Sequence, residues 1–134
     1  MDIEVSCMQM ILHSGNARGD AYEAIREVKK KNFDSSLDLL KHAKQELLLS
    51  QKTHAELLRE MAAHDNVPAS LLLIHAEDHV ASSEIALDMA KELYEYIISK
   101  CKEEIEIVEQ GEFGADMKVE AAKEVPMVRT DKAR

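Results

Sequence analysis

Three stretches with apolar residues at spacings of three and four, and almost nothing to interrupt them, constrain this chain most. The first runs from about residue 3 to Lys31 and sets Val5, Met8, Ile11, Leu12, Tyr22, Ile25 and Val28 on one expected stripe. Gly15 and Gly19 fall inside it and suggest a bend or a close helix contact. After the break Lys31-Asn32-Phe33-Asp34, Ser35-x-x-Asp38 offers a capping pattern for a second helix reaching about Ala63. Its expected buried side is Leu37, Leu40, Leu47, Leu48, Leu58 and Met61. A polar connection at His64-Asp65-Asn66-Val67 leads to Pro68, which suits the first turn of a third helix ending near Lys102. Helices of about 30 residues are about 45 Å long, and short connections make sequential neighbours antiparallel. The expected fold is all-α, an up-down-up three-helix bundle over residues 1–104, followed by a flexible tail over 105–134.

Composition agrees with helices. The 134 residues are 46% hydrophobic but only 4% aromatic, with 4 Gly, 2 Pro and no Trp. One domain with a modest core fits that length. The net charge of -9 and the lack of a basic tract argue against a nucleic-acid or anionic-membrane partner. Cys7 and Cys101 form no ligand pattern, and the acidic start lacks the basic and apolar regions of a signal peptide. With no apolar run of the roughly 20 residues that span a bilayer, the expected location is the cytoplasm.

The chemistry concentrates in His75-Ala76-Glu77-Asp78-His79. At about 100° per residue, His75, Asp78 and His79 share one arc of a helix, and Glu77 points the opposite way. The same arc carries Leu71, Leu72, Ala86, Met89, Leu93 and Ile97, so it reads as a buried stripe. Burying these polar groups costs several kcal/mol unless something satisfies them.

Three readings compete. Partly buried histidines bonded to backbone or water are the plainest. A metal site is the second, since His at i and i+4 can share an ion with a nearby carboxylate; the HExxH pattern is not met, because Ala76 follows His75. In the third, an imidazole accepts a phosphoryl group, a reaction that needs mainly positioning and charge stabilisation. No Gly-rich phosphate loop is present, so the group would come from a phosphorylated partner.

Leu71, His75, Asp78, Ser82, Ile85 and Met89 are also spaced four, three, four, three and four, like a coiled-coil seam with a polar middle. Identical carboxylates meeting at a symmetry axis repel, and a divalent cation bound through oxygen would remove that repulsion. An Asp bonded within its own subunit is the simpler alternative.

Ser70-Leu71-Leu72-Leu73-Ile74-His75-Ala76-Glu77-Asp78-His79 resembles the S-L-L-L-V-H-A-Q-D-H signature of the lactose/cellobiose-type enzyme IIA of the bacterial sugar phosphotransferase system. Met10-Ile11-Leu12-His13-Ser14-Gly15-Asn16-Ala17-Arg18 is a second match, and the likeness spans about residues 3 to 102. The resemblance implies a cytoplasmic homotrimer that takes a phosphoryl group from phospho-HPr and passes it to a cysteine of the cognate enzyme IIB. It makes His75 the phosphoryl acceptor and gives His79 a supporting role. Asp78 becomes the axial ligand, one per subunit, of a divalent ion taken as Mg.

Three departures accompany it: Glu77 for the usual Gln, Val80-Ala81-Ser82 for the commoner Leu-Met-Thr, and a tail without counterpart. If Glu77 lies near a phosphorylated His75, Glu77→Gln is expected to shift the transfer equilibrium several-fold. The rival is a regulatory or scaffolding bundle without turnover. Of the other histidines, His42 and His64 read as solvent-facing or loop-borne and His54 as a packing residue. His13 and Arg18 could line a phosphate pocket or only pack around Gly15.

Overall fold

The computed structural model describes residues 2–64 and 70–111, with side chains through 105. Three α-helices make up this part: α1 (Ile3–Lys29), α2 (Phe33–Ala62) and α3 (Leu71–Gly111), with no strand among the described residues. Asp2 Oδ1 accepts from the Val5 amide at 3.2 Å and caps α1. At the other end of α1, Lys31 takes the left-handed conformation (φ 67°). The amides of Lys31 and Asn32 close back on Val28 and Glu27 at 3.0 and 2.9 Å. The second helix therefore starts at Phe33, with the Asn32 carbonyl receiving the Ser36 amide; Ser35-x-x-Asp38 lies inside it rather than at its start. Ser70 caps α3 by accepting from the Leu73 amide at 3.1 Å, which fixes His75 in the second turn. Pro68 lies outside the described residues, as does the expected tail from 112 onward. The third helix runs past Lys102 to Gly111.

The chain divides into two compact units, Met1–Ala21 with Lys41–Asp88 and Tyr22–Leu40 with Met89–Arg134. In the first, α1 meets α2 through Met10–Ser50 and His13–Glu46, so rising numbers on one helix face falling numbers on the other. α1 meets α3 through Ser14–Ser83 and Arg18–Ser82 and runs parallel to it. That is the up-down-up order. Its core joins Cys7, Met10, Leu57, Leu73, Ala76 and Val80. The second unit buries Ala24 and Val28 of α1, Ser36 and Leu40 of α2, and Ala90, Tyr94 and Ile98 of α3.

The buried faces differ from the expected stripes. On α1 the interior positions are Cys7, Met10, Ser14, Ala17, Ala21, Ala24 and Val28, whereas Val5, Met8, Leu12 and Tyr22 face out. On α2, Leu40 and Leu47 are buried as expected, Leu57 replaces Leu58, and Leu48 and Leu58 are exposed. On α3 the interior stripe is Leu73, Ala76, Val80, Ser83, Leu87, Ala90, Tyr94 and Ile98. The stripe through Leu71, His75 and Asp78 lies outside.

Small residues explain the exchange. Alanine and serine let the helix backbones come close, and the serine hydroxyls are satisfied by backbone carbonyls of α1. Ser50 Oγ donates to Met10 O at 3.0 Å, Ser83 Oγ to Ser14 O at 2.8 Å and Ser36 Oγ to Ala24 O at 2.8 Å. Each bond to a buried carbonyl contributes roughly 1 kcal/mol. Gly15 and Gly19 have no part in this packing, because a Cβ at either would meet nothing within 4 Å.

Candidate functional site

α3 carries the histidine cluster on its outer side. His75 and Asp78 are exposed and His79 half-buried, so the premise of a buried carboxylate and two buried imidazoles does not hold within one chain. The rings of His75 and His79 meet edge to face, with centroids 4.5 Å apart and planes at 79°. His79 Nδ1 is fully buried without a hydrogen-bond partner. Burial, then the charges of His75 and Arg18, push the His79 imidazole below the ordinary histidine range, against a smaller upward pull from Asp78. A neutral ring beside His75 gives it a polar neighbour that does not compete for protons.

From α1, Arg18 Nη1 donates to Ser82 Oγ at 3.2 Å, and Ser82 Oγ donates to His79 O at 3.3 Å. His75, His79 and Ser82 stand four and three residues apart on one face of α3, so Arg18 is tied to the face that bears both histidines. His13, its partner in the first-helix motif, goes elsewhere. Its Nδ1 lies 2.9 Å from Glu46 Oε1, to which Asn16 Nδ2 also donates at 2.8 Å.

His13 and Asn16 hold the Glu46 carboxyl below the ordinary value of 4.5. Between the folded and unfolded values the unfolded chain binds the extra proton, so stability rises with pH there. The contribution of Glu46 is whole above about 4.5 and lost as pH drops through its lowered folded value. Urea melts from pH 7 to pH 3 should show the wild type losing stability relative to Glu46→Gln on acidification. Parallel curves for the two proteins would rule this out.

Glu77 turns toward α2, where its Oε2 lies 2.9 Å from His54 Nε2. His54 is thus more than a packing residue. Neither the periodicity nor the signature pointed to this pair, because the two positions are 23 residues apart on different helices. His42 is exposed and bonded to Asp20, and His64 is exposed and paired with Glu60 one turn before it. A depression of about 460 Å³ runs along α1, lined by Glu4, Val5, Met8, Gln9 and Leu12 and by no histidine. Open surface suits a group handed from one protein to another better than a cleft does.

Residues 5–97 match the model for the lactose/cellobiose-specific IIA subunit of the phosphotransferase system. The lichenan-specific phosphotransferase enzyme IIA component of Bacillus subtilis (strain 168) is 33% identical over 94 residues, 70% of this chain and 86% of that protein. The chain belongs to this IIA family. The N,N'-diacetylchitobiose-specific EIIA component of Escherichia coli (strain K12) is 29% identical over 70% of this chain and 81% of its own length. Among solved structures, the cellobiose-specific enzyme IIA from Bacillus anthracis superposes with a TM-score of 0.66 at 29% identity, covering 70% of this chain and 87% of that one. PtcA from S. mutans gives a TM-score of 0.68 at 29% identity, covering 72% and 97%. A D-Tyr-tRNA(Tyr) deacylase model also matches residues 79–129. That match covers less than half of the chain, and its described part is the continuation of α3.

In this IIA subunit no helix among the described residues is long and apolar enough to cross a membrane. Nor do three or more His, Cys, Asp or Glu side chains of one chain gather as a metal site among them. Asp78 nevertheless fits the expected axial role in kind. It is an exposed carboxylate with no hydrogen-bond or ion-pair partner among the described residues, on the face of α3 that also exposes Leu71 and Ile85. Carboxylate oxygens suit a hard divalent ion such as Mg.

Proposed function

We propose that this IIA subunit is the phosphocarrier between phospho-HPr and the cognate enzyme IIB during sugar uptake, working in the cytoplasm. The observation that carries the reading is His75, exposed in the second turn of α3 with its ring packed edge-on by His79. A lone pair on one ring nitrogen of His75 forms a bond to phosphorus. The bond from phosphorus to the HPr donor atom breaks, and its electron pair leaves with HPr. In the second step the IIB cysteine thiolate attacks phosphorus, and the N–P bond breaks to return the imidazole. Both transfers pass through a loose transition state, so the protein's part is to position the ring and to stabilise phosphoryl charge. His79 limits the rotation of the acceptor ring and bears no competing charge.

The reaction itself is tested by incubation with enzyme I, HPr and phosphoenolpyruvate, followed by intact mass. A gain of one phosphoryl group supports the reading, and no gain with an active donor mixture overturns it. The sugars named for the relatives include lichenan, N,N'-diacetylchitobiose and lactose, and they belong to those proteins. No residue of this chain needs to touch a sugar for the transfer to occur.

The working assembly is a trimer. Three copies of the outer face of α3 would cover Leu71, Ile74 and Ile85, which are exposed in a single chain. Three Asp78 carboxylates would then share the axis with a divalent ion, which supplies charge neutralisation there.

Glu77 adds a charge that the family signature lacks, and His54 takes it up. The pair is partly exposed, at 25% and 42%, and is worth less than about 1 kcal/mol. Because the carboxylate faces α2, Glu77→Gln should shift the transfer equilibrium with HPr by less than about twofold at low salt, the sort of residue that distant screened charge leaves. A several-fold shift would mean that the carboxylate reaches the phosphoryl group after all.

A further inference from the structure

Arg18 is the cation nearest in bonding to the histidine face, and the ion pairs of the described residues leave it out. In a chain with 26 acidic side chains against 17 basic ones, a half-buried arginine with no carboxylate partner is unusual enough to need a reason. A guanidinium has five N–H donors, and one hydrogen bond, to Ser82 Oγ at 3.2 Å, accounts for a single one of them. The Ser82 hydroxyl spends its own proton on His79 O at 3.3 Å, so it presents a lone pair to Arg18. Arg18 is therefore held against α3 by a neutral, weak acceptor. The ring of His79, whose backbone carbonyl receives that hydroxyl, touches the ring of His75.

The two acids on this turn leave the guanidinium alone. Glu77 is engaged by His54 on the α2 side, and neither hydrogen bonds nor ion pairs join Asp78 to Arg18. A weakly held guanidinium with unused donors is the arrangement that a dianionic, three-oxygen ligand recruits. Arginine offers it planar, paired N–H groups rather than a point charge.

We propose that Arg18 is the phosphoryl-binding residue of the site: it rests on Ser82 in the unphosphorylated protein and turns its donors to the phosphoryl oxygens when His75 carries the group. This rests on the reading of His75 as acceptor and goes beyond it by naming what holds the charge. It also resolves the two roles open to the first-helix motif, since Arg18 serves the site while His13 braces α1 against α2 through Glu46.

The test compares wild type, Arg18→Gln and Arg18→Lys, each checked for helical content and melting temperature. Two quantities are read with phospho-HPr as donor: the phosphorylated fraction at equilibrium, and the KM and kcat of labelling. A third is the hydrolysis rate of the purified phosphoprotein. Arg18→Gln is expected to lower the equilibrium constant for phosphorylation about tenfold, with the loss shrinking at high salt, and to change the hydrolysis rate of the phosphohistidine. Arg18→Lys should recover part of the loss, because it restores charge without the paired donors. Folded Arg18→Gln with an equilibrium constant within twofold of wild type overturns the proposal. So does equal loss in both variants accompanied by equal loss of melting temperature, which would make Arg18 a packing residue. Failure of the wild type itself to label would strike the phosphocarrier reading instead, so the two failures are distinguishable.

Discussion

His75→Ala should abolish acid-labile labelling by the phosphoryl donor mixture while leaving helical content intact. The expected loss is complete, because no other described group combines an exposed imidazole with Arg18 bonded to the same helix face. His79 is the nearest substitute. Its Nδ1 is buried without a partner and its ring is held half inside, so a phosphoryl group on that nitrogen would have to displace protein atoms. His13 and His54 are tied to Glu46 and Glu77, each at 2.9 Å, and a carboxylate beside an incoming phosphoryl group repels it. Folding should survive the substitution, since His75 is exposed and its side chain makes no hydrogen bond to the described residues. Peptide mapping of the labelled wild type under alkaline conditions decides the position. Phosphate on His79 or His13, or label retained by the alanine variant, would refute the assignment.

The family, the three helices and the chemical cluster were legible in the sequence because each rests on short-range pattern. Spacings of three and four survive any rotation of a helix about its axis, so they identified helices without identifying their inner faces. That second step failed on α1 and α3 for one physical reason. Hydrophobicity marks Val5, Met8, Leu12, Leu71, Ile85 and Met89 as the residues to bury, yet many interior positions go to Ala17, Ala21, Ala76, Ala90 and hydroxyl-satisfied serines. Small residues gain from close backbone approach and from bonds to carbonyls, neither of which a hydropathy pattern registers. The end of α3 was missed in the opposite direction. Glu103–Gly111 has no clear apolar face, but its glutamates and isoleucines tolerate a helix and nothing before Gly111 breaks one. Contacts across helices, such as Arg18 with Ser82 at a separation of 64 residues, carry no local signature.

The same exchange of faces leads to the second large effect, which concerns assembly. Leu71 is 82% exposed and Ile85 65%, and with Ile74 they border His75 and Asp78 on one side of α3. Large apolar side chains grouped on one helix face are costly in water unless another surface covers them. The spacing from Leu71 to Ile85 is that of a seam that three identical helices can share, with Asp78 at its middle. Sedimentation at micromolar concentration should give the mass of three chains. Ile85→Lys should shift that mass toward one chain, because three ammonium groups would meet where aliphatic contact is expected. Asp78→Leu should do the reverse, since it removes three like charges and their ligand together and fills the space with apolar atoms. For the wild type, a divalent ion at about 100 times its dissociation constant adds about 2.7 kcal/mol to the assembled state. Shared by three chains, that is about 0.9 kcal/mol each, a melting temperature about 3 °C higher with Mg than with chelator. Asp78→Leu should melt at one temperature in both. A wild type that sediments as a monomer refutes the trimer, whereas a trimer whose melting ignores both Mg and chelator refutes the axial ion alone.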